Sequence, residues 1–243
     1  MALPETAPEE SLDPLHKLKA KAFRISRILD SAYGRPLWYR RRDPLSELVL
    51  TFLSQATNDN NSHRAFESLR ERFSTWEEVA AAPTAAVADA IRSGGLADQK
   101  APRIQTALRE IIAMEGVCSL DRLHGLPTEE AVAYLSRFHG VGPKTVACVL
   151  LFSMGRAVLP VDTHVHRVTS RLGLVPPRTS ANRAHDLLQA LIPPYETYSF
   201  HVRFIRHGRR VCHAQRPDCP NCPLLPECPT GQSRMLVRVE GDG

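Results

Sequence analysis

The stretch SRFHGVGPKTVACVLL, residues 136–151, places a tight glycine turn between two helix-forming segments. Pro143 begins the second segment at the helix position that proline favours. Gly140 and Gly142 let the backbone approach another group closely, and the unpaired N–H groups at the start of the new helix form an anion site. The turn formed by Gly140, Val141 and Gly142 is therefore suited to hold a DNA phosphate without reading sequence, although ordinary helix–helix connections also contain glycine.

Two charged residues near this turn are candidates for chemistry. Lys144 falls in the first turn of the second helix, where the helix dipole disfavours a cation. That field, with partial burial, favours the neutral amine, which is a nucleophile; an exposed lysine in a poor position is the alternative. Asp162 precedes an apolar-periodic segment, so it is expected to cap a helix, and its carboxylate could also serve beside the amine.

Four of the six cysteines lie in VCHAQRPDCPNCPLLPEC, residues 211–228, with the spacing C-x6-C-x2-C-x5-C. In a reducing compartment such a group binds metal rather than forming disulfides. Four thiolates could hold zinc or a [4Fe–4S] cluster. Only one pair has the short spacing of structural zinc sites, so the longer spans favour the larger cluster. The candidate ligands are Cys212, Cys219, Cys222 and Cys228.

Composition limits the possible partners. The 243 residues carry a formal net charge of +5, which fits a polyanionic partner without requiring one. Residues 1–14 show no secretory or import pattern. The longest apolar run, VACVLLF at 146–152, is too short to span a bilayer. We therefore expect a cytoplasmic protein that does not bind membranes.

Apolar periodicity predicts helices along the whole chain and no strands, so the predicted fold class is all-α. Asp43 and Pro44 are expected to begin one helix as its cap and first residue. The predicted helices are 15–32, 42–57, 61–73, 84–92, 100–115, 128–137, 143–154, 163–173, 181–191 and 195–207.

GVGPKT, VDTHVHRV, HGRRVC and the cysteine spacing together resemble the endonuclease III family of helix-hairpin-helix DNA glycosylases. The resemblance covers roughly residues 20–230 and implies two lobes with DNA in the cleft between them. One lobe would be a six-helix barrel with the hairpin, and the other would carry a [4Fe–4S] cluster. The expected bounds are 36–156 for the barrel lobe, 15–35 with 157–230 for the cluster lobe, and 1–14 and 231–243 for tails.

The resemblance also implies residue roles. Lys144 and Asp162 match the catalytic lysine and aspartate. Gln55, in LSQAT, matches the glutamine that fills the gap left by the extruded base, and Leu96, in GGLADQKA, matches the wedge residue. A polar helix-end residue and a core leucine are the respective alternatives. Several of the basic residues beside the cysteines are expected to meet phosphates, because the hairpin alone offers too few contacts; for any single one, a solvated basic helix face is the alternative. The group is Arg203, Arg206, Arg209, Arg210 and Arg216.

The activity implied by the resemblance is that of a monomeric, bifunctional DNA glycosylase/AP lyase of base excision repair. Its substrate would be double-stranded DNA with a damaged base, mainly an oxidised pyrimidine, or with an abasic site. It would flip the base and nick the strand by β-elimination through a lysine Schiff base. Pro143 and His139 depart from the family pattern. A monofunctional mismatch glycosylase, which lacks a lysine at position 144, and a zinc-stapled DNA-binding module are the alternatives.

Overall fold

The structure, a computed structural model, describes residues 13–40 and 42–241, with side chains through residue 237. Regular structure within these ranges is helical and includes no strand, which confirms the all-α prediction. The helices are α1 Pro14–Tyr33, α2 Pro44–Leu53, α3 Asp59–Arg72, α4 Trp76–Ala81, α5 Thr84–Ala90, α6 Ala97–Glu115, α7 Thr128–Leu135, α8 Pro143–Cys148, α9 Thr163–Arg171, α10 Ala181–Leu191, α11 Thr197–Arg210 and α12 Pro229–Gly241.

The chain divides into two compact units. Leu37–Pro160 forms the first, which we call the central unit, and it contains α2 to α8. Met1–Pro36 together with Val161–Gly243 forms the second, the terminal unit, and its helices are α1 and α9 to α12. The predicted N-terminal tail, 1–14, lies outside the described residues except for its last two positions.

The central unit is built around α2, which begins and packs as the sequence predicts. The Asp43 side chain accepts a hydrogen bond of 2.9 Å from the Ser46 N–H, and Pro44 is the first helical residue. Phe52 and Leu53 are almost completely buried within the apolar core of this unit. The position of α2 also fixes that of Gln55, which follows its last residue by two positions.

The helix predicted over 143–154 consists of two parts. It is α-helical through Cys148 and then forms a π-helical turn, Val149–Ser153. Single π turns inside helices add a residue without breaking the rod, and they are often found at functional sites. The turn is anchored by Trp38, whose indole Nε1 donates a 2.7 Å hydrogen bond to the Leu151 carbonyl oxygen.

In the terminal unit, α1 and α11 are joined through Arg203, which is fully buried. Its guanidinium donates to the Ser26 carbonyl oxygen at 2.8 Å and to Glu196 Oε2 at 2.7 Å, and it also pairs with Asp30. Arg203 is therefore not among the members of the basic group that can meet phosphate. Two carboxylates already neutralise this cation, a carbonyl oxygen accepts a hydrogen bond from it, and it has no exposed surface.

The segment 231–243 was expected to be a tail, but α12 continues to Gly241, and residues 242 and 243 lie outside the described range. Its Leu236 and Val237 side chains are about two-thirds exposed, at 69% and 68%.

None of the helices in the described part of the chain combines the length and apolar character needed to cross a membrane.

Candidate functional site

The glycine turn before α8 has the geometry that a close backbone approach requires. Gly140 has φ 77°, in the left-handed region, and a Cβ there would lie 3.4 Å from the Phe52 ring. The Val141 side chain is buried, whereas Gly142 is exposed and precedes α8 in extended conformation. The backbone at the start of α8 therefore faces outward from a turn that the core holds in place.

Lys144 is the second residue of α8 and is partly buried. The residues that follow it, Thr145 to Cys148, are buried in the central unit. Among the described residues, the Lys144 amine has no hydrogen bond or ion pair. An amine that is partly shielded from water and not neutralised by a carboxylate can attack an electrophile once it has lost its proton.

Asp162 caps α9, as predicted. Its Oδ1 accepts a 2.7 Å hydrogen bond from the Val165 N–H, and its backbone is extended. Among the described residues, Oδ2 accepts no hydrogen bond. Capping thus uses one carboxylate oxygen and leaves the other for a ligand. Asp162 belongs to the terminal unit and Lys144 to the central unit.

Gln55 and Leu96 both lie in short segments of the central unit that follow a helical end. Gln55 is partly buried in the turn after α2. Leu96 precedes α6, has φ 51°, and is 50% exposed. A half-exposed leucine is not part of the core, so that alternative for Leu96 is wrong. A positive φ is uncommon for a leucine and marks the position as one to examine for function.

The four cysteines of residues 211–228 line one pocket in the terminal unit. Its cavity volume is about 20 Å³, and the wider empty space of about 400 Å³ includes open solvent. Burial raises the pKa of Cys222 to about 11 and also raises the pKa of Cys228. Binding as thiolates would therefore release protons. Among the described residues, no three or more His, Cys, Asp or Glu side chains are placed to hold a single metal ion.

The sulfur atoms have hydrogen-bonding partners of the kind that stabilise cluster ligands. The Gly231 N–H donates to Cys228 Sγ at 3.3 Å, and Arg171 Nη1 donates to Cys212 Sγ at 3.2 Å. Arg171 also donates to the carbonyl oxygens of His213 and Ala214. Arg171 is not recognisable as a cysteine partner from the sequence, because it lies 41 residues before Cys212.

His207 is a second residue that the sequence analysis missed. Its side chain is 1% exposed, its Nε2 lies 3.7 Å from Cys222 Sγ, and the Tyr33 hydroxyl lies 3.0 Å from its Nδ1. Burial lowers the pKa of His207 to about 4, so the ring is neutral at pH 7. The sequence HGRRVC placed His207 beside the cysteines, but only the structure shows that its ring faces them.

Of the basic group beside the cysteines, Arg209, Arg210 and Arg216 are exposed. Arg206 is partly buried and donates a 2.7 Å hydrogen bond to the Tyr33 carbonyl oxygen. The exposed members therefore remain candidates for phosphate contact, whereas Arg203 does not.

Comparison with known proteins places this geometry in a family. Residues 49–194 match the HhH-GPD superfamily of base excision DNA repair proteins. An Arabidopsis thaliana protein described as a candidate DNA glycosylase is 39% identical over 74% of this chain and 65% of its own length. Endonuclease III of Thermotoga maritima is 33% identical over 79% of this chain and 86% of its own length.

A solved structure gives the same result. A non-covalent complex of endonuclease III with DNA superimposes with a TM-score of 0.76 at 30% identity, covering 89% of this chain and 98% of that one. The family match spans more than half of the 243 residues and includes the glycine turn, Lys144 and Asp162. The chain belongs to the HhH-GPD superfamily of base excision DNA repair proteins and, within it, to the endonuclease III family of DNA glycosylases.

Proposed function

We propose that this glycosylase is bifunctional: it excises oxidised pyrimidines from double-stranded DNA and then nicks the strand as an AP lyase. The observation that carries the proposal is the Lys144 amine. It lies in the first helical turn after the glycine turn, is partly buried, and has no counter-ion among the described residues. A monofunctional glycosylase has no use for an amine at this position.

Binding and base flipping come first. The outward-facing backbone of Gly142 and the first turn of α8 would hold a phosphate of the damaged strand, and the exposed Arg209 and Arg216 would hold others. A base inside a duplex cannot be reached, so the nucleotide is extruded. The half-exposed Leu96 would enter the stack, and Gln55 would take the space that the extruded base leaves.

Lys144 would then attack C1′ of the sugar. The new C–N bond forms as the bond to the base breaks, and the base leaves with a proton. Opening of the sugar ring gives the Schiff base, which permits loss of a C2′ proton and of the 3′ phosphate by β-elimination. The Asp162 carboxylate would stabilise the positive charge that develops on the sugar.

We further propose that Cys212, Cys219, Cys222 and Cys228 hold a [4Fe–4S] cluster. All four line one pocket, and three of their sulfur atoms have hydrogen-bonding partners. Such a cluster would supply a rigid structural tie for a segment with few core residues. Anaerobically purified protein should be brown and contain iron and acid-labile sulfide. A colourless preparation with one zinc per chain would identify a zinc site instead.

Borohydride trapping tests the lyase step. Parent protein should form a covalent adduct with DNA that carries one oxidised pyrimidine, and Lys144→Gln should form none while still binding that DNA. Lys144→Arg should fail as well, because a guanidinium stays protonated. Excision by the parent without an adduct would show a monofunctional enzyme, and trapping by Lys144→Gln would show that another amine reacts. A panel of duplexes with single defined lesions would test the substrate class.

A further inference from the structure

Lys100, in α6, is a buried lysine that none of the proposed steps uses. Its side chain is 2% exposed, and its Nζ donates to the Leu53 carbonyl oxygen at 2.7 Å and to the Gly94 carbonyl oxygen at 2.8 Å. No carboxylate among the described residues forms an ion pair with it. Burial lowers the pKa of Lys100. Buried lysines are rare unless they are paired with a carboxylate. The burial of Lys100 against two carbonyl oxygens therefore needs an explanation.

Both carbonyl groups end a helical segment. Leu53 is the last residue of α2, and Gly94 is the last residue of the 3₁₀ turn Arg92–Gly94. Carbonyl oxygens at a helical end lack partners within the helix and carry the negative end of the dipole. A single ammonium group thus satisfies two such ends at once. Gly94 is held tightly as well, since a Cβ there would lie 3.0 Å from the Ala65 Cβ.

The two segments that begin at these ends carry the residues proposed to handle the DNA bases. Gln55 follows Leu53 by two positions, and Leu96 follows Gly94 by two. Each segment contains a non-glycine residue in the left-handed region, Ala56 with φ 51° and Leu96 with φ 51°. Such residues are strained and persist only where the surroundings fix them. The Leu96 carbonyl also accepts from the Lys100 backbone N–H at 2.9 Å.

We propose that Lys100 is a positioning residue that fixes the Gln55 segment and the Leu96 segment relative to each other, so that wedge and gap-filling residue enter the duplex together. The inference rests on the proposed function, because it assumes that both residues act in base flipping. Lys100 itself does not touch DNA. Its removal should slow base extrusion, because the two residues would no longer be held in register, and should spare chemistry on a nucleotide that is already extruded.

Gln105 supplies a matched control on the same helix. It is 1% exposed, and its Nε2 donates to two backbone carbonyl oxygens, Val79 at 2.9 Å and Ala82 at 2.7 Å, neither of which leads into a DNA-handling segment. Gln105 also accepts a 2.7 Å hydrogen bond from the Thr84 hydroxyl, so Gln105→Met removes at least as many side-chain hydrogen bonds as Lys100→Met. Lys100→Gln, which keeps a donor, replaces Lys100→Met if the latter does not fold.

Single-turnover excision of a paired lesion is compared with cleavage of a preformed abasic site. Lys100→Met should slow excision about tenfold or more, because small misplacements are costly, and should change abasic-site cleavage by less than about threefold. In a Leu96→Ala background the same change should add little, since both act on one step. Equal slowing on both substrates, or the same pattern for Gln105→Met, would overturn the inference.

Hydrogen–deuterium exchange of the DNA-free protein tests the positioning directly and needs no activity. Lys100→Met should raise exchange at residues 54–57 and 95–97 together, whereas Gln105→Met should not. Unchanged exchange in both segments overturns the role of Lys100, whatever the activity. A parent protein that cleaves no lesion-containing or abasic DNA would instead overturn the proposed function, and the exchange result would still stand.

Discussion

Asp162 is expected to contribute to stability as a helix cap and to catalysis as a charge, and substitution can separate these two contributions. Its Oδ1 caps α9 through the 2.7 Å hydrogen bond from Val165, and its charge is proposed to act on the sugar. Asparagine caps helices about as well as aspartate, whereas alanine at a cap costs about 1 kcal/mol. Asp162→Asn should therefore melt close to the parent. Asp162→Ala should melt lower by about 2 to 5 °C, as expected for units of this size.

The effect on catalysis should follow charge instead of capping. Loss of one preorganised group that stabilises developing charge typically slows the chemical step about 10² to 10³-fold, or about 3 to 4 kcal/mol. Both variants should lose that factor, although only Asp162→Ala loses the cap. The assay is single-turnover excision with enzyme in excess, read beside thermal melting of the same samples. Binding to abasic DNA serves as the control for folding.

Three outcomes would refute this reasoning. Parent-like excision by Asp162→Asn would show that Asp162 only caps α9. Melting of Asp162→Ala at the parent temperature would show that the hydrogen bond to Val165 contributes no stability. Equal loss of melting temperature in both variants would mean that asparagine does not reproduce the cap, and that the rates report structure and not charge.

Three further changes have distinct expected results. Arg216→Gln should weaken DNA binding and reduce the slope of log affinity against log salt by about one unit; an unchanged slope in a salt titration would show that Arg216 meets no phosphate. Arg203→Met should destabilise the protein by about 3 to 5 kcal/mol in urea denaturation, because Asp30 and Glu196 would lose their shared partner; a change below about 1 kcal/mol would contradict the buried network. Gly140→Ala should weaken DNA binding and lower stability by about 1 kcal/mol or more, since an alanine at φ 77° is strained; parent-like affinity would show that the turn does not contact DNA.

Helix ends were predictable where a side chain or proline marks them. α10 runs from Ala181 to Leu191 as predicted, with Ser180 as its cap, and Pro44 and Pro143 begin α2 and α8 as predicted. The missed helix α4 was also marked: Thr75 and Glu78 form a capping box, and the pattern Thr-x-x-Glu was visible in the sequence. The start of α4 was therefore predictable from a local signal.

The π turn, Val149–Ser153, had no such local signal. VACVLLF is apolar throughout, so its pattern fits an α-helix, a π turn or a buried strand equally well. The choice is made by distant contacts, including the hydrogen bond from Trp38, which lies 113 residues away from Leu151 in the sequence. Hydrophobic periodicity cannot report a contact of that separation.

For the basic residues, too, position in the sequence does not predict function. Their partners in the structure suggest a rule for this chain. Nearness to the cysteines suggested a phosphate role for Arg203, but its partners on α1, up to 177 residues away, make it a structural cation. Lys100 is a second buried cation, satisfied by two carbonyl oxygens. Lys144 and Arg216 have no such partner among the described residues. A cation whose charge is already satisfied holds the fold, whereas one without a partner retains its charge or its amine for the polyanion that this family repairs.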